Sequence, residues 1–499
     1  MGCCASRPPE KTEKRKVTLK RSVGRKKTKA SKKSDLDKSS ETHKRSLSRR
    51  VTPCLNKVEN TQGSIFDFYQ KVKNIYKARS GSIWLALDKR TNIQKAIKEI
   101  KKNTLESSAQ DLFLEEVEKL KELDHPNIVK FHELVISSDT FYLVFEFMAG
   151  ENLFKRLKRK YINEQLAANY TKNLLEGLEY CHNIGILHRN ISLENMLFVS
   201  KKEDTSIKLN DFGFTWRKNM KQTQSNEFTK DESELKYLAP ETFEGIYNDK
   251  SDIWSLGIAL YVMLIGRFPF NTAMDVKRGI DWSNDMFLIY SAEMKDFLSK
   301  MLAPDYKERF SAIEALNHPW LQIVYPSPQN LLNEQTVAII SKFLTRNKIE
   351  QYLLTYVASL YSDFNEEKRH IKLFKFLDKN YDGLVDKQEL KEIWKGKIFE
   401  DPQEMEEILL GIDMEEDYSF SFTMFMAALA DWNSAASRNK LESALKSLSQ
   451  NNTRRIDVNY IKRKIPAADN KEWEQFYRIV GNVEGSFVNI DQLKEVLLK

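Results

Sequence analysis

The stretch DKNYDGLVDKQE (residues 378–389) constrains the fold more than any other feature of this sequence. Oxygen-bearing side chains stand at its positions 1, 3, 5, 9 and 12, as Asp378, Asn380, Asp382, Asp386 and Glu389. Position 6 is a glycine, which permits a sharp turn, and Leu384 at position 7 offers its backbone carbonyl. Apolar helical patterns flank the loop on both sides. This spacing predicts a helix–loop–helix unit whose loop binds calcium, rather than a solvated acidic turn.

Three later stretches have the length and spacing of this loop but lack most of its oxygen ligands. They are 413–424, 449–460 and 481–492. Each keeps the central apolar residue through which paired loops form a short β-ribbon, namely Phe420, Ile456 and Val488. We therefore expect an all-α, calmodulin-like domain of four EF-hands over 364–499. Its first loop would bind calcium, and the others would be structural, with the last two silent toward calcium.

Upstream of these loops the pattern changes from strands to helices. Residues 75–100 alternate and turn like two or three strands, and 141–147 resemble a buried strand. Between them, 107–125 have helical periodicity, and helices dominate after residue 152. The order predicts a small strand-rich lobe followed by a helical lobe.

Short motifs appear along these two lobes in a fixed order. They are KAIK ending at Lys98, HRNISLEN (188–195), DFG (211–213), APE (239–241), SDIWSLG (251–257) and ERFSAIEALNHPW (308–320). In this order they resemble a protein kinase, and with the four loops they resemble the calcium-dependent protein kinase family of plants and protists. The resemblance implies an α+β bilobal kinase fold over 69–321, a junction helix of autoinhibitory type over 322–363, and the EF-hand domain.

The resemblance also assigns roles at the nucleotide cleft. Lys98 would hold the α- and β-phosphates of Mg-ATP and pair with Glu116, while Asn195 and Asp211 would bind magnesium. The adenine would lie among the apolar residues Ile83, Ala96 and Leu197. The glycine-rich phosphate loop would end at Gly81.

The catalytic loop departs from the family pattern. Asn190 stands where an aspartate accepts the substrate proton, and Ser192 where a lysine steadies the γ-phosphate. Glu234 replaces a bracing threonine, and Tyr76 and Ala78 replace two phosphate-loop glycines. We predict a nucleotide-binding pseudokinase that acts through its conformation. The alternatives are an active calcium-regulated Ser/Thr kinase, with Glu234 as a displaced base, and a calcium-insensitive scaffold.

The N-terminal segment 1–60 predicts a disordered, basic membrane anchor. Residues 1–50 hold 18 Lys and Arg against 5 Asp and Glu. Gly2 with Ser6 fits the myristoylation pattern, and Cys3 and Cys4 stand where a docked thiol can be palmitoylated. The alternative is a basic tail for nucleic acid or nuclear import. Acylation favours the cytoplasmic face of a membrane, such as the plasma membrane, and we expect no nucleic-acid partner.

Overall fold

The computed structural model describes most of the chain after residue 60. The described residues are 61–78, 81–105, 107–160, 162–201, 206–212, 235–282, 287–322, 334–361, 368–394, 419–449, 454–464, 470–481 and 487–499. Several predicted features lie outside them, namely Gly2, Cys3, Cys4, Glu234 and parts of the three weaker loops at 413–418, 450–453 and 482–486. Residues 50–499 belong to one structural unit.

The small lobe is built on a six-stranded sheet. Its strands are β1 (Thr61–Gln62), β2 (Tyr69–Ala78), β3 (Gly81–Asp88), β4 (Gln94–Lys101), β5 (Phe131–Ile136) and β6 (Thr140–Glu146). Their spatial order is β1–β5–β6–β4–β3–β2, with β1 parallel to β5 and the other pairs antiparallel. Three strands are thus observed where two or three were predicted. In β4, Lys95 and Ile97 are buried on one face, and Ala96 and Lys98 are half-buried on the other. Successive strand residues point to opposite faces, so this second face lines a cleft.

A helix over Ser107–Lys121 packs on the sheet through Phe113 and Val117, which are fully buried. The sequence predicts a helix as far as residue 125. The structure ends it at Lys121, and His125 precedes Pro126, a position at which helical backbone is disfavoured.

The large lobe consists of helices around a central buried one. Its helices are Leu153–Leu157, Glu164–Asn183, Asp249–Ile265, Ala273–Arg278, Ala292–Met301, Ala312–Leu316 and Pro319–Gln322, and a small ribbon joins β7 (Met196–Phe198) to β8 (Ile207–Leu209). In the small lobe, by contrast, the short helix Ile65–Phe68 precedes β2. Asn163 caps Glu164–Asn183 by accepting from the N–H of Leu166 at 2.9 Å.

Helix Asp249–Ile265 contains an apolar run over 256–265 and is buried around almost its whole circumference. It begins at an Asn248 capping box and ends at Gly266, whose φ of 81° is the left-handed conformation that favours glycine. None of the described helices is both long and apolar enough to cross a membrane.

A buried ion pair fixes the APE segment to the large lobe. The fully buried guanidinium of Arg309 donates to both oxygens of Glu241, at 2.7 and 2.9 Å. The hydroxyl of Ser251 donates to the same carboxylate at 2.7 Å. Bidentate pairing compensates for the cost of burying both charges.

The C-terminal region is helical and contains two short ribbons. Its helices are Glu334–Leu344, Lys348–Leu360, Lys368–Leu377, Lys387–Trp394, Phe422–Leu429, Ala435–Ser447, Val458–Lys464, Asn470–Val480 and Ile490–Leu498; its strands are β9 (Leu384–Asp386), β10 (Ser419–Ser421), β11 (Arg455–Asp457) and β12 (Phe487–Asn489). Phe420 lies opposite Val385, and Ile456 opposite Val488. The predicted pairing of loops through their central apolar residues is therefore confirmed.

The junction differs from the sequence prediction of one helix. It forms two helices, Glu334–Leu344 and Lys348–Leu360, because Asn347 accepts from the N–H of Ile349 and starts the second one. Both helices contribute buried residues to the same core as the EF-hand helices.

Candidate nucleotide cleft and calcium loop

The predicted nucleotide-binding residues meet on one face of the small lobe and on β7. Ile83 pairs with Lys98 across β3 and β4, and Leu197 lies on β7. Ile83, Ala96, Lys98 and Leu197 are all half-buried, as expected of a cleft lining. Tyr76 is directly opposite Ile83 and 59% exposed. Directly opposed residues share a face of the sheet, so this exposed ring lies on the same face as Ile83.

Lys98 has a different partner from the one that the sequence predicts. Its ammonium bonds the carboxylate of Asp211, while Glu116 faces the guanidinium of Arg189 at 3.6 Å. Arg189 has a φ of 61°. Its guanidinium lies beside Glu116, and Lys98 forms its ion pair with Asp211 instead. The predicted Lys98–Glu116 pair is thus replaced by two other ion pairs.

A buried carboxylate that the sequence analysis did not single out holds the backbone of the catalytic loop by hydrogen bonds. Asp252 accepts from the backbone N–H groups of His188 and Arg189, both at 2.9 Å, and contacts His182 Nε2 at 3.0 Å. Although burial opposes its ionisation, the hydrogen bond and charge of His182 hold the pKa of Asp252 below its usual value. The available signal was a charged residue directly before the largely apolar stretch IWSLGIALYVML (253–264).

The residue in the proton-acceptor position donates hydrogen bonds. Asn190 Nδ2 lies 3.0 Å from the backbone oxygen of Asp211 and 3.4 Å from its Oδ2. Asn195 Nδ2 in turn donates to the backbone oxygen of Asn190 at 2.9 Å. The two predicted magnesium ligands are therefore connected through residue 190.

Ser192 is buried and uncharged, so it does not supply the positive charge of the lysine that the family has at this position. Glu234, the candidate displaced base, lies outside the described residues. Gly81 begins β3 opposite Ala78.

The predicted calcium loop (378–389) carries buried carboxylates that bond to its own backbone. Glu389 accepts from the N–H groups of Lys379 and Asp386, at 3.0 and 3.1 Å. Asp378 accepts from those of Asp382 and Gly383, both at 3.1 Å. In this conformation the described residues contain no group of three or more His, Cys, Asp or Glu side chains placed to hold a metal ion.

The donor set of the loop nevertheless fits calcium. Burial, together with the carboxylates of Asp382 and Glu389, raises the pKa of Asp378 well above its usual value. Burial also raises the pKa of Glu389 to about 7. A hard divalent cation would relieve this crowding of carboxylates. The residues that would hold it are those the sequence predicts, since a carboxylate can coordinate a cation and still accept a backbone hydrogen bond.

This loop rests on the kinase helix Glu164–Asn183, a contact that sequence reasoning missed. The Asn183 amide donates to the backbone oxygen of Tyr381 at 3.4 Å. A Cβ at Gly383 would lie 2.3 Å from the Tyr180 ring. Before the loop, Lys375 Nζ lies 2.7 Å from the buried carboxylate of Glu176. The helix that carries these contacts leads directly into the catalytic loop.

Comparison with known proteins decides the family. The protein kinase domain family matches residues 69–321. Over 476 residues the chain is 30% identical to Calcium-dependent protein kinase 4 of Plasmodium falciparum (isolate 3D7), covering 89% of this chain and 88% of that protein. The chain belongs to the calcium-dependent protein kinase family. Calcium-dependent protein kinase 32 of Arabidopsis thaliana is 30% identical over 409 residues, covering 80% of this chain and 75% of that protein.

Membership of the calcium-dependent protein kinase family agrees with the architecture described above. A kinase domain with a β-sheet small lobe and a helical large lobe precedes a helical C-terminal region, for which the relatives imply EF-hands. The departures at Asn190 and Ser192 are therefore departures within a kinase domain.

Proposed function

We propose that this member of the calcium-dependent protein kinase family binds ATP, transfers phosphate poorly and signals through a calcium-responsive conformation at a membrane. The observation that carries the proposal is the hydrogen bonding of Asn190. Its amide nitrogen donates to Asp211, whereas a proton acceptor must carry a basic oxygen toward the substrate hydroxyl. Losing a general base typically costs about 10²–10⁴ in rate.

Support for nucleotide binding comes from the parts of the cleft that are kept. Lys98 and Asp211 lie beside the catalytic loop, which keeps Asn195, and Ile83, Ala96 and Leu197 keep an apolar lining. Magnesium, when bound, would neutralise the phosphate charge, and Asn195 and Asp211 are the residues that would hold it.

Support for calcium response comes from the position of the first loop. Tyr381 and Gly383 contact the last turns of helix Glu164–Asn183. A change of loop shape on calcium binding would therefore displace the end of the helix that precedes the catalytic loop. His182 of that helix bonds the side chain of Asp252 on helix Asp249–Ile265, and Asp252 accepts from the backbone N–H of Arg189.

Mg-ATP at millimolar concentration is expected to raise the melting temperature of the full chain. A ligand at about 100 times its dissociation constant adds about 2.7 kcal/mol to the free energy of unfolding. Lys98→Met should lose most of this response, because it removes the cation available to the phosphates. Lys101→Met is the matched control, since Lys101 lies on the same strand but contacts the Thr140 hydroxyl at 3.0 Å and the exposed Asp139 at 3.6 Å rather than Asp211. An unresponsive wild type, or an equal response in Lys98→Met, would refute nucleotide binding at this cleft.

We further propose acylation at Gly2 and at Cys3 or Cys4, supported by the N-terminal sequence and its basic clusters. Gly2→Ala is expected to abolish incorporation of labelled myristate and to move most of the protein from the membrane fraction to the supernatant. The matched control is Ala5→Gly, which alters a neighbouring small residue. If Gly2→Ala remains in the membrane fraction, the anchor is elsewhere.

The second candidate function is an active, calcium-regulated Ser/Thr kinase. The presence of Lys98, Asn195 and Asp211 at one cleft favours it, because these groups hold ATP and magnesium in active relatives of the fold. Glu234 would then have to act as the base.

A further inference from the structure

Asp124 lies just after helix Ser107–Lys121, the helix of the small lobe that carries Glu116. The kinase domain holds Asp124 by both its side chain and its backbone. Lys130 Nζ donates to the carboxylate oxygen Oδ1 at 2.8 Å, and the Asp124 backbone N–H donates to the hydroxyl of Tyr180 at 3.0 Å. The carboxylate therefore has a fixed place at the end of this helix.

The same carboxylate contacts the C-terminal region. The hydroxyl of Thr423 donates to Asp124 Oδ1 at 2.6 Å, and the backbone N–H of Thr423 donates to Oδ2 at 3.0 Å. Although burial opposes ionisation, the charge of Lys130 and hydrogen bonds from Lys130 and Thr423 lower the pKa of Asp124 to about 2. The carboxylate is ionised at neutral pH, and hydrogen bonds to an ionised group are roughly twice as strong as neutral ones.

Thr423 is the second residue of helix Phe422–Leu429, so its N–H is one of those that have no partner inside the helix. The side chain of Ser421 caps the helix by accepting from the N–H of Met424 at 3.4 Å, and Asp124 accepts from Thr423. The helix dipole also favours a carboxylate at this end. A residue of the kinase domain thus completes the cap of a helix in the C-terminal region.

Helix Phe422–Leu429 is connected directly to the predicted calcium loop. Strand β10 leads into this helix and pairs with β9 of the loop, where Ser421 lies opposite Leu384, whose carbonyl is a predicted calcium ligand. Phe374, in the helix before the loop, is fully buried, and its ring centroid lies 5.3 Å from that of Phe422. The loop and the helix that enters it therefore both pack against the helix that bonds Asp124.

We propose that Asp124 is a positioning residue through which the calcium loop acts on the small lobe, because its bonds to Thr423 join the β9–β10 ribbon to the end of helix Ser107–Lys121. This inference rests on the calcium response in the proposed function. It adds a second contact to the one on helix Glu164–Asn183, and the junction helices do not make it. A cation that binds the folded loop stabilises the conformation that it binds, and this conformation includes the Asp124–Thr423 bonds.

The test is hydrogen exchange of the full chain, followed by mass spectrometry with EGTA or with saturating calcium. Two helices are compared, Ser107–Lys121 and Glu164–Asn183, and titration calorimetry on the same preparations verifies that calcium binds. In the wild type, calcium is expected to slow exchange in Ser107–Lys121 at least about fivefold, the lower end of the usual coupling between two sites.

Thr423→Val removes the hydroxyl that reaches Asp124 and leaves the ion pair of Asp124 with Lys130 in place. The calcium effect on helix Ser107–Lys121 should then fall to about twofold or less, because a hydrogen bond to a charged group is lost. The calcium effect on helix Glu164–Asn183 should remain, since the contacts of the loop with that helix are unchanged.

Two further variants separate the hydrogen bond from a general loss of packing. Thr423→Ser keeps a hydroxyl and should restore the response in Ser107–Lys121. Thr355→Val is the matched control, because it makes the same change at a similarly buried threonine whose hydroxyl donates within its own helix, to the backbone oxygen of Gln351 at 2.8 Å. Melting temperatures without calcium verify that each variant is folded.

The outcomes are distinguishable. If calcium slows exchange in wild-type Glu164–Asn183 but not in Ser107–Lys121, this inference is overturned and the proposed calcium response stands. A full response of Ser107–Lys121 in Thr423→Val, or an equal loss in Thr355→Val, would also overturn it. If calcium does not bind, or binds and alters neither helix, the proposed calcium response and this inference fail together.

Discussion

Replacing Gly383 with alanine is expected to weaken calcium binding by about 30- to 1,000-fold, equivalent to about 2–4 kcal/mol. Two effects add. Gly383 has a φ of 75°, which L-residues adopt at a cost, and its missing Cβ would lie 2.3 Å from the ring of Tyr180. Any backbone shift that relieves this overlap moves Asp382 and Leu384, the ligands on either side. The variant should therefore lose calcium affinity and contact with helix Glu164–Asn183 together.

Gly481→Ala provides a matched control. Gly481 begins the fourth loop with a similar φ of 81°, but nothing lies within 4 Å of its would-be Cβ. This variant has the same kind of backbone strain without the overlap, in a loop expected to be silent. Calcium titration calorimetry gives the affinity, and hydrogen exchange along Glu164–Asn183 reports the contact. Wild-type calcium affinity in Gly383→Ala, or an equal loss in Gly481→Ala, would contradict the account.

Local sequence patterns predicted the elements of this fold well. Alternating apolar residues indicated the strands that carry Ile83 and Lys98, and the apolar centres of the loops indicated the β9–β10 and β11–β12 ribbons. These features depend on neighbours in the chain, so their physical causes are visible in short windows. The second junction helix was also readable in principle, because Asn347 is a strong capping residue.

Choices between distant partners could not be read in the same way. The sequence placed Lys98, Glu116, Arg189 and Asp211 near one cleft, but two cations and two carboxylates can pair in more than one way. Packing decided that Lys98 meets Asp211. The contact between Tyr180 and Gly383 depends on how the C-terminal region docks, and nothing in either local segment indicates it.

Phosphate transfer by the wild-type chain is expected to be about 10²–10⁴ slower than transfer by a form with a carboxylate base and a charged loop residue. Asn190→Asp returns the base, and Ser192→Lys returns the cation that would stabilise charge on the transferring phosphoryl group. Because these residues act as one unit, the double variant should gain more than the sum of the single gains. Asn190→Asp alone should therefore recover only part of the rate.

A displaced base would change this expectation in a recognisable way. If Glu234 accepts the proton, the wild type transfers phosphate and Glu234→Gln abolishes the transfer. If the loop has lost its base, Glu234→Gln leaves a negligible rate unchanged.

The measurement that tests the central claim most directly is autophosphorylation of the purified full chain with labelled ATP, with and without calcium. Wild type is compared with Asn190→Asp, Glu234→Gln and Lys98→Met, and the melting-temperature response to Mg-ATP is recorded on the same preparations. The account predicts that wild type responds to nucleotide yet incorporates no more phosphate than Lys98→Met, and that Asn190→Asp incorporates more. Phosphate incorporation by wild type that Lys98→Met abolishes would contradict it.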